Sequence, residues 1–128
     1  MTNAEKVKAG FETSAGVDQY VTSVNSYNDG HWHYAVVTND GSTLRLYIDG
    51  VQVATKALAG ASPENTGTKP VRVGANSRVT PPGNFFTGEL DEVRIWNDDL
   101  TADQAANAFS GTDFTNSKQV LYLAFTAQ

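Results

Sequence analysis

The chain has no cysteine among its 128 residues. It therefore has no disulfide framework, no thiolate metal site and no thiol nucleophile. Basic residues are also few: nine Lys and Arg stand against fourteen Asp and Glu, giving a net charge of −5, and no three of them are consecutive. Without a basic patch to neutralise phosphates, we expect neither nucleic-acid binding nor attachment to an anionic membrane surface.

Long apolar runs are missing as well. No stretch approaches the roughly 20 apolar residues of a membrane-spanning helix, so we expect no membrane insertion. The first ten residues, MTNAEKVKAG, lack the apolar segment of a secretion signal, so no signal peptide is predicted in the chain as given. Hydrophobic residues make up 40% of the chain, which suffices for one core, and no internal repeat indicates a second domain. We predict a single domain over residues 1–128.

The hydrophobic pattern has a period of two, which is typical of β-strands. The strongest signal is a hairpin of residues 44–48 and 51–55 around Asp49-Gly50, because a type I′ turn needs positive φ at both central positions. Further strands are predicted at 7–11, 20–24, 32–38, 71–74, 85–96 and 120–125, with loops at 57–69 and 76–84.

One short helix is predicted near residues 102–109. Thr101 is suited to cap it, and Gln104 three residues later completes a capping box. Alanine-rich sequence follows, and Gly111 ends the helix. The fold class is therefore all-β, an antiparallel β-sandwich or jelly roll with this single helix.

Four phrases occur in order along the chain: DGHWHY at 29–34, LYIDG at 46–50, VG at 73–74 and FTGELDEVRIWN at 86–97. Together they resemble the laminin-G-like jelly roll of the concanavalin A-like lectin and glucanase group, which also includes pentraxins. The resemblance implies several strands ahead of residues 7–11 that this chain does not contain. A sandwich without them would expose apolar surface and unpaired edges. Either the remaining strands close a smaller sandwich, or another copy covers the gap and the protein is a homo-oligomer.

The acidic residues of the last phrase raise the question of catalysis. Retaining glycosidases of the resembling group carry a Glu-x-Asp-x-Glu motif on one strand face, sometimes with one more residue before the last Glu, because alternate strand residues point the same way. Glu89 and Asp91 match its first two positions, but the third carboxylate would fall at Val93 or Arg94. We therefore expect Glu89 to face solvent, Asp91 to bond nearby backbone, and the protein not to be an enzyme.

Metal ligands are the next candidates. His31 and His33 would share one face of a strand, but no third ligand is evident, so we expect rim histidines and no zinc site. Many Asp and Asn residues stand at turns, and oxygen ligands suit calcium. The resemblance implies that Asp91 is either a ligand of a structural calcium ion or a structural acceptor, and no cofactor is required.

Sandwiches of the resembling group bind ligands at the variable loops or on the concave face, where aromatic rings stack on sugars and amide side chains bond hydroxyl groups. Trp32 and Trp96 are predicted to pack against the sheet, whereas one ring of Phe85-Phe86 must point away from the core of a strand. The candidate ligand-binding residues are Tyr27, Asn76, Arg78, Asn84, Phe85 and Phe86.

The leading hypothesis is a non-catalytic binding or adhesion module of a larger protein, extracellular or at the cell surface, that recognises carbohydrate or a protein partner. The first alternative is a self-associating structural domain whose open face is covered by another copy. The second is a glycoside hydrolase, disfavoured because its third carboxylate is missing.

Overall fold

The structure is a computed structural model in which the chain forms two compact units. The first comprises Met1–Asn65 with Asp98–Asn116, and the second comprises Thr66–Asn97 with Ser117–Gln128. The strands are antiparallel in both units, which confirms the all-β prediction. The assignment of one domain to the whole chain stays a prediction. The structure describes residues 6–63, 72–75, 83–111 and 119–124.

The first unit begins with a two-stranded sheet of β1 (Lys6–Glu12) and β2 (Asp18–Ser26). The connecting turn closes with hydrogen bonds from Gly16 N to Thr13 O and from Thr13 N to Val17 O, both 2.9 Å. Gly16 has a φ of 75°, which glycine adopts without steric cost. The predicted strand pair is confirmed.

A second sheet in the same unit contains β3 (Ala35–Asn39), β4 (Thr43–Ile48) and β5 (Val51–Ala57), in that order. The β4–β5 turn has Asp49 at φ 53° and Gly50 at φ 81°, so the predicted hairpin is confirmed.

The start of β3 was predicted incorrectly at residue 32. The strand begins three residues later because Tyr34 N donates to the side chain of Asp49, at 2.8 Å, and residues before it are held in a loop.

The core of the first unit lies between these two sheets. Period-two alternation places Leu44, Leu46 and Ile48 on one face, where they pack with Val21 and Leu58, all at most 3% exposed. Partly buried residues from both sheets pack against this cluster: Val7, Ala9, Phe11, Tyr27, Val53, Ala54 and Ala61.

Helix α1 (Ala102–Ser110) completes the first unit and confirms the predicted helix, one residue longer. Gln104 N donates to Thr101 Oγ1 at 3.2 Å and Thr101 N to Gln104 Oε1 at 2.9 Å, which is the predicted capping box. Gly111 ends the helix in the left-handed conformation. Within the described ranges no helix has the length and apolar character needed to cross a membrane.

The second unit contains β6 (Val93–Trp96) paired with β7 (Gln119–Leu123). The strand predicted at 85–96 is therefore mostly wrong, and only its last four residues are extended. Gly88 at φ 149° and Glu92 at φ 53° interrupt it, since a strand needs negative φ throughout.

The short strand predicted at 71–74 is not formed by residues 72–74, which make a bend with Gly74 at φ 80°. Residue 71 lies outside the described residues. The strand predicted at 120–125 corresponds to β7, and residue 125 is likewise outside them.

Candidate functional site

The first candidate surface is the Trp32 loop, defined as residues 27–34 between β2 and β3. His33 bridges two aspartates there: its Nδ1 lies 2.8 Å from Asp49 Oδ2 and its Nε2 lies 3.1 Å from Asp29 Oδ1. A neutral imidazole has only one N–H, whereas both partners are acceptors. The hydrogen bonds to Asp49 and then Asp29 accordingly raise the pKa of His33 above its usual 6.5. Contact with two acceptors therefore favours the protonated form of His33.

Backbone hydrogen bonds fix both sides of the same loop. Asp49 Oδ1 accepts from Tyr34 N at 2.8 Å, and Asp49 N donates to Tyr34 O at 2.9 Å. Asp29 Oδ1 accepts from His31 N at 3.0 Å. That bond, followed by the one from His33, lowers the pKa of Asp29. These hydrogen bonds tie the loop to the Asp49-Gly50 turn.

Trp32 projects from this loop with 65% of its surface exposed, so the prediction that it packs on the sheet is wrong. Backbone hydrogen bonds hold His31 before it and Tyr34 after it. The indole of Trp32 itself is not part of the core cluster. Trp96 in β6 is half-buried, in agreement with its predicted packing.

The two histidines occupy the loop instead of one strand face. His33 lies in the bridge and His31 is exposed. Within the part of the chain that the structure describes, no group of three His, Cys, Asp or Glu side chains is arranged to hold a metal ion.

The second candidate surface is the Phe85 segment, residues 84–92 of the second unit. Phe85 is 70% exposed and Phe86 is 56% exposed. One ring was expected to face away from a strand, and both are exposed because the segment is not a strand. Asn84 beside them is exposed as well.

Specific contacts hold the Phe85 segment in place. Phe86 N donates to Gly74 O at 2.8 Å. The Phe86 ring occupies the space beside Gly88, where an added Cβ would lie 2.9 Å from ring atom Cε1. Gly88 also has a φ of 149°, so glycine is needed there for both backbone conformation and space.

The end of the segment is bound to the paired strands β6 and β7 through Glu92. Its carboxylate accepts from Arg94 Nη2 and from Tyr122 Oη, each at 2.8 Å, and the Arg94 guanidinium lies 4.7 Å from the centre of the Tyr122 ring. The bonds from Arg94 and Tyr122 lower the pKa of Glu92, and Glu92 raises the pKa of Tyr122. The sequence pattern missed this network because it placed Glu92 on an undistorted strand and gave no signal for a partner 30 residues away.

Glu89 and Asp91 have the surroundings that the non-catalytic interpretation predicted. Glu89 is exposed, and Asp91 Oδ1 accepts from the backbone of Glu92 at 2.8 Å. Both precede β6, so the strand face on which a glycosidase would pair them is not formed here. A calcium ion at Asp91 stays a prediction.

Of the six predicted ligand-binding residues, the structure brings together Asn84, Phe85 and Phe86, which are contiguous in the second unit. Tyr27 belongs to the first unit, where it packs on the core and meets the His33 ring edge-on at 5.0 Å between centroids. Asn76 and Arg78 lie outside the described residues.

Comparison with known proteins identifies the class to which this fold belongs. The model of a laminin-G-like family of the concanavalin A-like lectin and glucanase superfamily matches residues 2–106. The chain belongs to this family, which confirms the resemblance in its sequence phrases. Domains of this type are typically non-catalytic binding modules.

A solved structure shares the fold. It is the crystal structure of an S-layer domain-containing protein, residues 221–444, from Clostridium thermocellum, with 25% sequence identity and a TM-score of 0.53. The match covers 80% of this chain and 50% of that one, so the chain spans half the length of the structure it resembles.

Proposed function

We propose that this chain is a non-catalytic binding module of a cell-surface or exported protein, and that it binds carbohydrate through the Phe85 segment. The observation that carries the proposal is the exposure of two adjacent aromatic rings, Phe85 at 70% and Phe86 at 56%. Burying an aromatic ring inside the protein would favour folding. Two neighbouring rings that stay exposed therefore indicate a surface that contacts a ligand or partner.

The chemistry of the segment suits a sugar. Aromatic faces stack on the apolar face of a pyranose ring, and the exposed amide of Asn84 offers both a donor and an acceptor for hydroxyl groups. The contacts of Phe86 with Gly74 and Gly88 restrict the segment before a ligand arrives. A restricted surface loses less conformational entropy on binding, which favours affinity.

Two further findings support the class and place of the protein. Its family consists largely of binding modules, and the similar solved structure is described as an S-layer domain-containing protein. Both support a surface-associated module. The position of Glu89 and Asp91 outside a strand supports binding without hydrolysis.

A glycan array followed by calorimetry on the bound glycans tests the proposal. We expect Phe85→Ala and Phe86→Ala each to weaken binding by about tenfold, equivalent to about 1.4 kcal/mol. Val51→Ala is the matched control, because Val51 is a 65% exposed apolar residue of the first unit and should leave binding unchanged.

Two results would count against carbohydrate binding at this segment. One is equal loss of affinity in the Val51 control. The other is an array on which no glycan binds. If sedimentation then showed a mass that rises with concentration, the self-associating alternative would be favoured.

A further inference from the structure

We propose that the Trp32 loop is a second carbohydrate site, in which the Trp32 indole stacks on a neutral pyranose ring and the Asp29 carboxylate accepts hydrogen bonds from its hydroxyl groups. The site goes beyond the function proposed above, because it uses other residues in the other unit.

The exposure of Trp32 is the first observation behind this site. Trp has the largest side chain, and burying a large aromatic ring contributes strongly to folding. Trp32 nevertheless remains 65% exposed, although Tyr27 of the same loop packs against the core cluster. An indole with this much solvent-exposed surface is accessible to a ligand.

The second observation is that the backbone around Trp32 is already fixed. The amide of His31 is bound to Asp29, the amide of Tyr34 to Asp49, and the ring of His33 to both aspartates. These bonds come from the loop itself and from the β4–β5 turn, so they do not depend on a ligand. A fixed platform is what stacking on a sugar requires, because little entropy is lost on binding.

The polar groups of the same loop select the kind of sugar. The Asp29 side chain is 53% exposed, and its hydrogen bonds to His31 and His33 both use Oδ1, so in the described structure Oδ2 is an acceptor available to a hydroxyl group. The whole chain carries a net charge of −5. Like charges repel, so uronic and sulfated sugars are disfavoured and neutral sugars are favoured.

Tryptophan fluorescence provides a direct test. The chain has two tryptophans, so a Trp96→Phe variant leaves Trp32 as the sole reporter. The probes are cellohexaose, xylohexaose, mannohexaose and chitohexaose, with a polygalacturonate hexamer as the anionic probe. We expect at least one neutral hexaose to shift the Trp32 emission to shorter wavelength in a saturable way, and the anionic hexamer to bind at least about tenfold more weakly.

Variants of the complete chain then separate the two sites. For the responding hexaose, Trp32→Ala should weaken binding by about tenfold. Trp32→Phe should retain part of the affinity, and Phe85→Ala should leave the Trp32 response unchanged. If Trp96→Phe does not fold, the indole Nε1–H signal of Trp32 in the wild-type protein reports the same titration by NMR.

The proposal is overturned if no neutral hexaose changes the Trp32 signal, if the polygalacturonate hexamer binds more tightly than all of them, or if Trp32→Ala leaves affinity unchanged. Sugar binding that is lost in Phe85→Ala but not in Trp32→Ala would overturn this site while supporting the Phe85 segment. The converse result would support the Trp32 loop and count against the Phe85 segment.

Discussion

Replacing Asp49 by alanine should destabilise the first unit more than any other single change in its loops. Asp49 is the residue through which the Trp32 loop is attached to the β4–β5 turn: one carboxylate oxygen accepts from Tyr34 N and the other from His33 Nδ1, both at 2.8 Å. It also has a φ of 53°, a conformation that Asp tolerates better than alanine does. Asp49→Ala therefore removes two acceptors and adds backbone strain.

The magnitude follows from these losses. A hydrogen bond to a charged group contributes about 1.5–3 kcal/mol, and the low end applies here because the Asp49 side chain is 35% exposed. Two such bonds give about 3 kcal/mol, and the left-handed conformation adds about 1 kcal/mol for alanine. The expected cost of Asp49→Ala is about 4 kcal/mol, against a total stability of about 5–15 kcal/mol for a domain.

Asp49→Asn distinguishes the contributions. Asparagine tolerates the same φ and can still accept from Tyr34 N, but it lacks the charge that strengthens the bond to His33, so the expected cost is about 1 kcal/mol. Urea unfolding followed by circular dichroism measures both values. Asp103→Ala is the control, with an expected loss of at most about 0.5 kcal/mol from the first helical turn. Equal costs for Asp49→Ala and Asp49→Asn would refute the reasoning, as would a cost for Asp49→Ala no larger than the control.

Three further predictions concern a titration, a strand and a helix. The folded-state pKa of His33 is raised, so the stability difference between wild type and His33→Gln should be largest below the usual pKa of 6.5. The difference should decline as pH rises through the raised pKa, and urea unfolding between about pH 6 and pH 9 measures it. Gly10→Ala should destabilise β1–β2 by about 3 kcal/mol, because the added Cβ would overlap Gln19 O, and thermal unfolding would show it. Thr101→Ala should cost about 1 kcal/mol through loss of the capping box with Gln104, again by thermal unfolding, and Thr101→Ser should recover most of it.

Each of these has an outcome that would contradict it. A stability difference for His33→Gln that grows with pH would mean that the bridge does not carry the imidazolium. Gly30→Ala, where nothing lies within 4 Å of the added Cβ, should cost only the backbone strain of a φ of 82° and therefore less than Gly10→Ala. A larger cost than that of Gly10→Ala would contradict the steric argument. No effect of Thr101→Ala would show that the capping box is dispensable.

The sequence by itself determined the elements whose causes are local. The Asp49-Gly50 hairpin depends on two neighbouring residues that tolerate positive φ, and α1 depends on a Thr and a Gln three positions apart with a glycine at its end. The family phrases also predicted the fold class, and the adjacent Phe85 and Phe86 could be named as candidates from their order alone.

Only the tertiary structure decided how the candidate residues are presented. Trp32 lies on an exposed loop because Asp49, 17 positions later in the chain, bonds Tyr34 and His33 and delays the start of β3. The predicted strand at 85–96 is shortened because Glu92 turns to bond Arg94 and Tyr122, the latter 30 residues away. A period-two pattern reports which side chains could alternate in a strand, but it contains no information on these distant hydrogen bonds. They are the physical reason that the candidate surfaces lie on fixed loops and not on strands.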